Sequence, residues 1–212
     1  MIDDLFAQED TPRWTQMLAP GAIVLRGFAV EHASALMQMI DLVTSLSPFR
    51  HMTTPGGFVM SAAMSNCGSL GWVTDAQGYR YSRHDPLTGE PWPAMPGLFA
   101  QLAQQAAHEA GFPDFVADAC LLNRYAVGSR MSLHQDKNER DFSQPIVSVS
   151  LGLPAIFQFG GMQRSDAVQR IPLTQGDVLV WGGPSRLRFH GVQTIKAGTG
   201  AYRFNLTFRK AG

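Results

Sequence analysis

Three side chains in this sequence could hold one metal ion. His134 and Asp136 stand two apart in Leu133-His134-Gln135-Asp136-Lys137. In an extended strand, residues i and i+2 point to the same face, so one strand can present an imidazole and a carboxylate together. A second histidine, His190 in Arg188-Phe189-His190-Gly191, would complete two imidazoles and one carboxylate. Grouped on one side of an ion, these donors leave the other side open, which is the ligand set of non-haem Fe(II) oxygenases. An open face suits oxygen chemistry, because a cosubstrate and O₂ each need a coordination position. A His-x-Asp by itself is weak evidence, since two polar residues on a surface strand give the same letters. His190 read alone is a core histidine. The other histidines, His32, His51, His84 and His108, lack such a setting and read as structural or exposed.

The last strand adds a second constellation. Arg203, Asn205, Thr207 and Arg209 share one face, and Phe204, Leu206 and Phe208 share the other. The apolar face is core. If the strand lies inside a roll, two arginines and an amide face its interior, where an unpaired charge is costly. They would need an anion, and a dicarboxylic acid supplies one through a bidentate, directional pair. Asn123 and Tyr125, again two apart, could add an amide and a phenol to the same pocket. The plainer alternative is a strand whose arginines face water.

The elements that must position these residues follow from pattern and punctuation. Residues 1–20 read as a loosely held arm and 22–28 as a first strand. Residues 31–46 read as a helix, with Leu36, Ile40 and Val43 at helical spacing and Pro48 as its stop. Residues 48–93 are rich in Gly, Pro, Ser and Thr, with Phe58, Trp72, Tyr79, Tyr81 and Trp92 between them. That stretch reads as short hairpins and loops forming a lid. Residues 96–110 read as a second helix closed by Gly111. From Ala119 onward about eight short strands, at 119–126, 130–135, 146–151, 155–160, 169–173, 177–182, 187–192 and 202–208, alternate with Gly/Pro turns, which argues for a two-sheet jelly roll.

Composition narrows the function classes. The 212 residues suit one domain, and a 45% hydrophobic content is enough for a real core. Seventeen basic residues balance seventeen acidic ones, so a polybasic binder is excluded and any nucleic-acid contact must come from a local patch. Cys67 and Cys120 make neither a zinc motif nor a disulfide framework and read as buried, reduced thiols. No signal core and no apolar run of ~18 residues is present. The expectation is a soluble cytoplasmic monomer.

Longer words in the chain resemble those of the bacterial AlkB proteins, Fe(II)- and 2-oxoglutarate-dependent nucleic-acid dealkylases. They are Thr54-Pro55-Gly56-Gly57, Asn66-Cys67-Gly68, Leu70-Gly71-Trp72, Gln77-Gly78-Tyr79 and Pro91-Trp92-Pro93-Ala94-Met95-Pro96. Asn123-Arg124-Tyr125, the His134 block, residues 145–161, Gly176-Asp177, Trp181-Gly182-Gly183 and residues 205–209 continue the likeness, which spans residues 47–209.

The resemblance implies a single 1–212 dioxygenase domain of mainly β structure with flanking helices. Within it, a nucleotide-recognition lid at 48–93 precedes a double-stranded β-helix jelly roll at 119–209. It implies His134, Asp136 and His190 as iron ligands and Arg203 as the grip on the distal carboxylate of 2-oxoglutarate. Asn123, Tyr125, Asn205 and Arg209 match the rest of that pocket, and Trp72, Tyr79, Tyr81 and Arg164 match the lid and base pocket. The implied reaction couples 2-oxoglutarate and O₂ to removal of the methyl group of 1-methyladenine or 3-methylcytosine in single-stranded DNA, with RNA also open, as repair of alkylation damage.

The lid aromatics carry a physical argument too. An enzyme acting on a base must take it out of the stack, and an aromatic platform offsets that cost by about 1–3 kcal/mol per base. Trp72 and the tyrosines could instead be a satellite core under the lid. Arg50, Arg80, Arg83, Arg130 and Lys137 could touch phosphates or be ordinary solvated charges. Asn138 is a departure, since similar proteins often carry an acid there. It keeps an acceptor for an exocyclic amine and loses the charge that would attract a methylated, cationic base. Glu139 is expected to alternate away from the site. Competing readings are the same oxygenase chemistry on tRNA or a small molecule, a catalytically silent jelly-roll binding module, and a zinc-type hydrolase, which would not need the arginine pocket.

Overall fold

The computed structural model describes residues 13–212. Along the chain lie strands β1 (Trp14–Ala19) and β2 (Ala22–Arg26), helix α1 (Ala33–Leu46), strands β3 (Arg50–Thr53), β4 (Val59–Gly68), β5 (Gly71–Asp75) and β6 (Gly78–Ser82), and helix α2 (Gly97–Glu109). Eight strands follow: β7 (Ala119–Ala126), β8 (Met131–His134), β9 (Ile146–Gly152), β10 (Ala155–Phe159), β11 (Gln169–Leu173), β12 (Val178–Trp181), β13 (His190–Val192) and β14 (Tyr202–Arg209). Among the described residues, no helix is long and apolar enough to cross a membrane.

The strands assemble as the expected jelly roll. The large sheet runs β1-β2-β12-β9-β14-β7-β4-β3, the small one β11-β10-β13-β8, and β5-β6 stands apart as a hairpin. Period-two alternation sorts the large sheet into two faces. Val147, Val149, Leu151, Val178, Val180, Leu206 and Phe208 face the helices, joining Leu36, Ile40, Val43, Phe99 and Leu102 in one core. Phe99 meets Phe208 edge-on, with ring centroids 5.9 Å apart. The opposite face meets the small sheet, where Ile146, Leu179 and Trp181 pack on Phe157 and Phe159. The candidate residues Asn123, Tyr125, Arg203 and Asn205 stand on this inner face.

Three sequence expectations change in the folded chain. Residues 1–12 of the expected arm lie outside the described residues. The rest is no loose arm, because Trp14–Ala19 pairs with β2 from Trp14↔Arg26 to Ala19↔Ala22. Arg26 fixes that edge by donating from Nε to the Gln16 side chain at 3.2 Å and lying 5.7 Å from the Trp14 ring. The 48–93 segment is not all short hairpins and loops. β3 pairs with β4 and β4 with β7, extending the large sheet, so the separate hairpin is β5-β6 alone. The buried run from Ala62 to Cys67 explains this, since such a strand must be covered on both faces. The strand expected at 187–192 starts only at His190, because a short 3₁₀ turn at Gly183–Ser185 precedes it.

The outer core sets a stability expectation. Phe208→Ala should cost about 3–5 kcal/mol of unfolding free energy. A urea titration giving less than ~1 kcal/mol would mean that α2 does not depend on this contact.

Candidate active site

β8 and β13 are neighbours in the small sheet, and their register places His134 directly opposite His190. The two rings come within 4.4 Å, centroid to centroid. Gly191 allows this approach, because a Cβ there would sit 2.7 Å from the Met131 carbonyl oxygen. Asp136 lies two residues past the end of β8, so the metal-binding pair does not share one regular strand as the spacing suggested. Its carboxylate nonetheless reaches both imidazoles, with Oδ1 3.6 Å from His134 Nε2 and Oδ2 3.6 Å from His190 Nε2. All three donor atoms lie within 4.8 Å of one another.

Both rings are turned the right way for a cation. His134 Nδ1 is 2.9 Å from the Ser132 carbonyl and His190 Nδ1 is 3.0 Å from the Arg188 carbonyl. A carbonyl accepts only from an N–H, so both Nδ1 atoms carry the proton and both Nε2 lone pairs face the carboxylate. Phe157 stacks on His190 at 5.8 Å and Trp181 meets it edge-on at 5.0 Å, locking its rotamer. Two neutral imidazoles and one carboxylate on one side of a gap fit a divalent cation with open positions opposite.

Electrostatics keeps the site ready for a cation. Burial, followed by the neighbouring His190, pushes the His134 imidazole down to about 4. Part of that ring still meets solvent, with 38% of the side chain exposed. Burial raises the Asp136 carboxyl, but the Arg209 guanidinium overcomes it and holds the group well below the usual carboxylate range. Arg209 donates from Nη2 to Asp136 Oδ2 at 2.6 Å and lies 3.3 Å from Glu139 Oε1 through Nε. Its own pKa is raised, because those anions outweigh burial.

Arg203 is in the opposite condition. It is 1% exposed and faces the interior from β14, donating from Nη2 to Ser150 Oγ at 2.9 Å and, at a long 3.4 Å, from Nη1 to the Leu153 carbonyl. Its Nε is buried and unsatisfied, as is Asn123 Oδ1, and no carboxylate pairs with it among the described residues. Burial holds the guanidinium down to about 10, still charged at neutral pH. Register puts Tyr125 opposite Arg203 and Asn123 opposite Asn205, so all four polar groups line one patch of β7 and β14. A buried cation with a free donor, beside an unused amide oxygen, calls for an anion with further polar atoms. The carboxylates and keto group of 2-oxoglutarate meet that description.

The β5-β6 hairpin brings the aromatic residues to the site. Asn66, fully buried on β4, accepts from the Trp72 backbone N–H and donates to its carbonyl, both at 3.0 Å. Gly71 packs so tightly on Trp92 that a Cβ would lie 2.4 Å from the indole. Trp72 stacks on Tyr79 at 5.8 Å and donates from Nε1 to Asn138 Oδ1 at 3.2 Å. Tyr81 donates its phenol to Glu139 Oε1 at 2.7 Å. Glu139 therefore does not alternate away; the loop after Asp136 is not extended strand, and this carboxylate turns inward. Arg164 is exposed, donates to the Leu133 carbonyl at 2.7 Å and covers the Phe189 ring. Arg50 and Arg80 are already paired with Asp85 and Asp75. Sequence reasoning missed Asn66, Ser148, Ser150 and Arg186, small or distant polar residues with no spacing signal.

The His134 shift has a consequence for the metal-free protein. Its folded value, about 4, lies below the ordinary 6.5. Between these values the unfolded chain takes up the proton first, so stability falls as pH falls through that window. The melting temperature should drop between pH 6.5 and 4, and His134→Gln should flatten the drop. A parallel fall in both proteins would assign the loss to other groups.

Comparison with known proteins agrees with this site. The family model of the 2OG-Fe(II) oxygenase superfamily matches residues 21–209. The chain is 59% identical to the alpha-ketoglutarate-dependent dioxygenase AlkB of Salmonella typhimurium, over 98% of this chain and 97% of that protein. It is also 59% identical to the protein of the same name from Escherichia coli, over 99% and 98% of the two chains. A solved structure of OsALKBH1 superposes with a TM-score of 0.81 at 29% identity, covering 93% of this chain and 100% of the other. The chain thus belongs to the 2OG-Fe(II) oxygenase superfamily and, within it, to the AlkB family of dioxygenases, whose reaction draws on Fe(II), 2-oxoglutarate and O₂.

Proposed function

We propose that this protein oxidatively demethylates N-alkylated bases, 1-methyladenine and 3-methylcytosine, in single-stranded DNA, with RNA as a second substrate. Its role is repair of alkylation damage, as a cytoplasmic monomer built as one dioxygenase domain over 1–212. The observation that carries this reading is the placement of an aromatic platform beside the metal ligands: Trp72 is hydrogen-bonded to Asn138, two residues beyond Asp136. A flipped base needs such a surface to replace the stacking it has lost. The human relative ALKBH1, described as a nucleic acid dioxygenase, is 36% identical over 59% of this chain and supports the same substrate class.

His134, Asp136 and His190 would hold Fe(II). The ion, with O₂ and 2-oxoglutarate, supplies the oxidising power that hydroxylates the methyl carbon, and the N-hydroxymethyl base then releases formaldehyde. The chain's own residues bind and orient. Arg203 grips the distal carboxylate of 2-oxoglutarate, with Tyr125, Asn123 and Asn205 around it. Asn205 is itself fixed, donating to Ser148 Oγ at 2.7 Å and to the Val149 carbonyl at 3.0 Å. The family resemblance puts Arg209 in the same pocket. Its charge is already balanced by Asp136 and Glu139, so we assign it chiefly to holding Asp136. Trp72, Tyr79, Tyr81 and Arg164 border the base, and the stacked Trp72–Tyr79 pair excludes water from one side.

The decisive experiment is anaerobic Fe(II) loading, then incubation with 2-oxoglutarate, O₂ and a 3-methylcytosine oligomer, read by mass spectrometry. Loss of one methyl group that requires both iron and 2-oxoglutarate is expected. Succinate without demethylation would discard this substrate and favour tRNA or a small molecule. Neither product from folded, iron-loaded protein would favour the silent binding module.

Two variants probe the assigned roles. Arg203→Ala should raise the KM for 2-oxoglutarate at least ~30-fold, the loss of about 2 kcal/mol of charge-assisted hydrogen bonding. An unchanged KM would move the cosubstrate elsewhere. Asn138→Asp should change the ratio of rates on 1-methyladenine and 3-methylcytosine oligomers, because it restores a charge beside a cationic base while keeping the acceptor for Trp72. Identical ratios across pH would remove Asn138 from substrate selection.

A further inference from the structure

We infer that Glu139 is a positioning residue that joins the aromatic hairpin to the iron ligand Asp136, an inference that rests on the oxygenase reading above. Glu139 has one of the most enclosed carboxylates in the molecule, its side chain 3% exposed. It holds three partners from three separate parts of the chain. The Tyr81 phenol, from β6, donates to Oε1 at 2.7 Å. Arg186, on the turn leading to His190, donates from Nη2 to Oε2 at 2.9 Å. Arg209, from β14, donates to Asp136 Oδ2 from Nε at 3.2 Å and from Nη2 at 2.6 Å, and its Nε also lies 3.3 Å from Glu139 Oε1 as an ion pair. Arg186 returns to the same loop, donating from Nη1 to the Asp136 carbonyl at 2.8 Å and from Nε to the Gln144 carbonyl at 3.0 Å.

The charges explain why the link reaches the metal. Two buried guanidiniums, Arg186 and Arg209, are set against the buried carboxylate of Glu139 and the partly buried one of Asp136. Glu139 takes part of the pull of Arg209, which leaves Asp136 electron density to give to a cation. With a neutral side chain at 139, both guanidiniums keep their charge and Arg209 is satisfied by Asp136 alone. The carboxylate becomes a poorer donor, and the surroundings become more positive. Hydrogen-bond partners of a metal ligand have this leverage, and their loss commonly weakens metal binding 10–100-fold. The same carboxylate holds Tyr81, so movement of the hairpin around a base is felt at Asp136 through three contacts, Tyr81–Glu139, Glu139–Arg209 and Arg209–Asp136.

Co(II) serves as the probe, because its visible absorption reports both binding and ligand geometry without turnover. In the full chain, Glu139→Gln keeps an acceptor for Tyr81 and should raise the Co(II) dissociation constant about tenfold. Adding a 3-methylcytosine oligomer to the Co(II)-loaded parent with 2-oxoglutarate should alter the Co(II) spectrum, and Tyr81→Phe should abolish that response. A Glu139→Gln protein that melts earlier but binds Co(II) like the parent would make Glu139 a structural ion pair and overturn the inference. If Glu139→Gln does not fold, the Tyr81→Phe spectrum decides, and a response equal to the parent's overturns it. A parent that binds Co(II) and 2-oxoglutarate but no oligomer would defeat the nucleic-acid reading instead, and the Glu139→Gln affinity would still decide this one.

Discussion

Much of this structure follows from carrying charge into the gap between two sheets and balancing it there. Asp136 and Arg209 meet at 2.6 Å, both almost wholly enclosed. Buried ions of this kind are costly unless each finds an opposite charge and fills its remaining hydrogen bonds. Around this pair the chain closes a network: Glu139 and Arg186 complete it, and backbone carbonyls of Asp136 and Gln144 accept from Nη1 and Nε of Arg186. The metal ligand is thus held from behind, and its face toward His134 and His190 stays free for a cation.

The two sheets divide the labour. On the outer face of the large sheet, alternate residues are aliphatic or aromatic and bury against α1 and α2. That apolar burial is the main favourable term in folding, and it allows the inner face to be polar. Strand β14 shows the division within one segment: Leu206 and Phe208 are fully buried under the helices, while Arg203 and Arg209 are buried on the other side among oxygens. The contrast between the two arginines is chemical. Arg209 has its anions within the protein. Arg203 has a serine hydroxyl, a carbonyl and an unsatisfied Nε, the state expected of a group reserved for a ligand.

The alternation of letters revealed a good deal of this. Strand β14, the helices with their apolar stripes, and the order of β7 to β14 are local patterns, set by period and by Gly/Pro punctuation. Residue types and spacing pointed to three candidate metal ligands, His134, Asp136 and His190, and the structure brings all three together. Other features resisted reading from the chain. Residues 48–93 looked like one lid because their Gly, Pro and Ser content signals turns, but β4 is buried on both faces and belongs to the large sheet. Edge strand β1 carried no strong alternation, and its pairing with β2 alone gives it form. Glu139 was expected to point away because strand geometry was extended past His134, where the strand has already ended.

By itself, then, the sequence determined what depends on neighbours along the chain: the strands and helices, the two faces of β14, and residue types able to hold iron and a dicarboxylate. The tertiary structure decided which distant groups share charge. His134 meets His190 because β8 and β13 pair in one register, and Arg209 meets Asp136 across 73 residues of chain. The division between Arg209, satisfied within the protein, and Arg203, left with an unused donor, is invisible in a strand where both occupy equivalent positions. The reason is that periodicity fixes only the direction of a side chain, whereas its partner is fixed by whichever segment the fold packs against it.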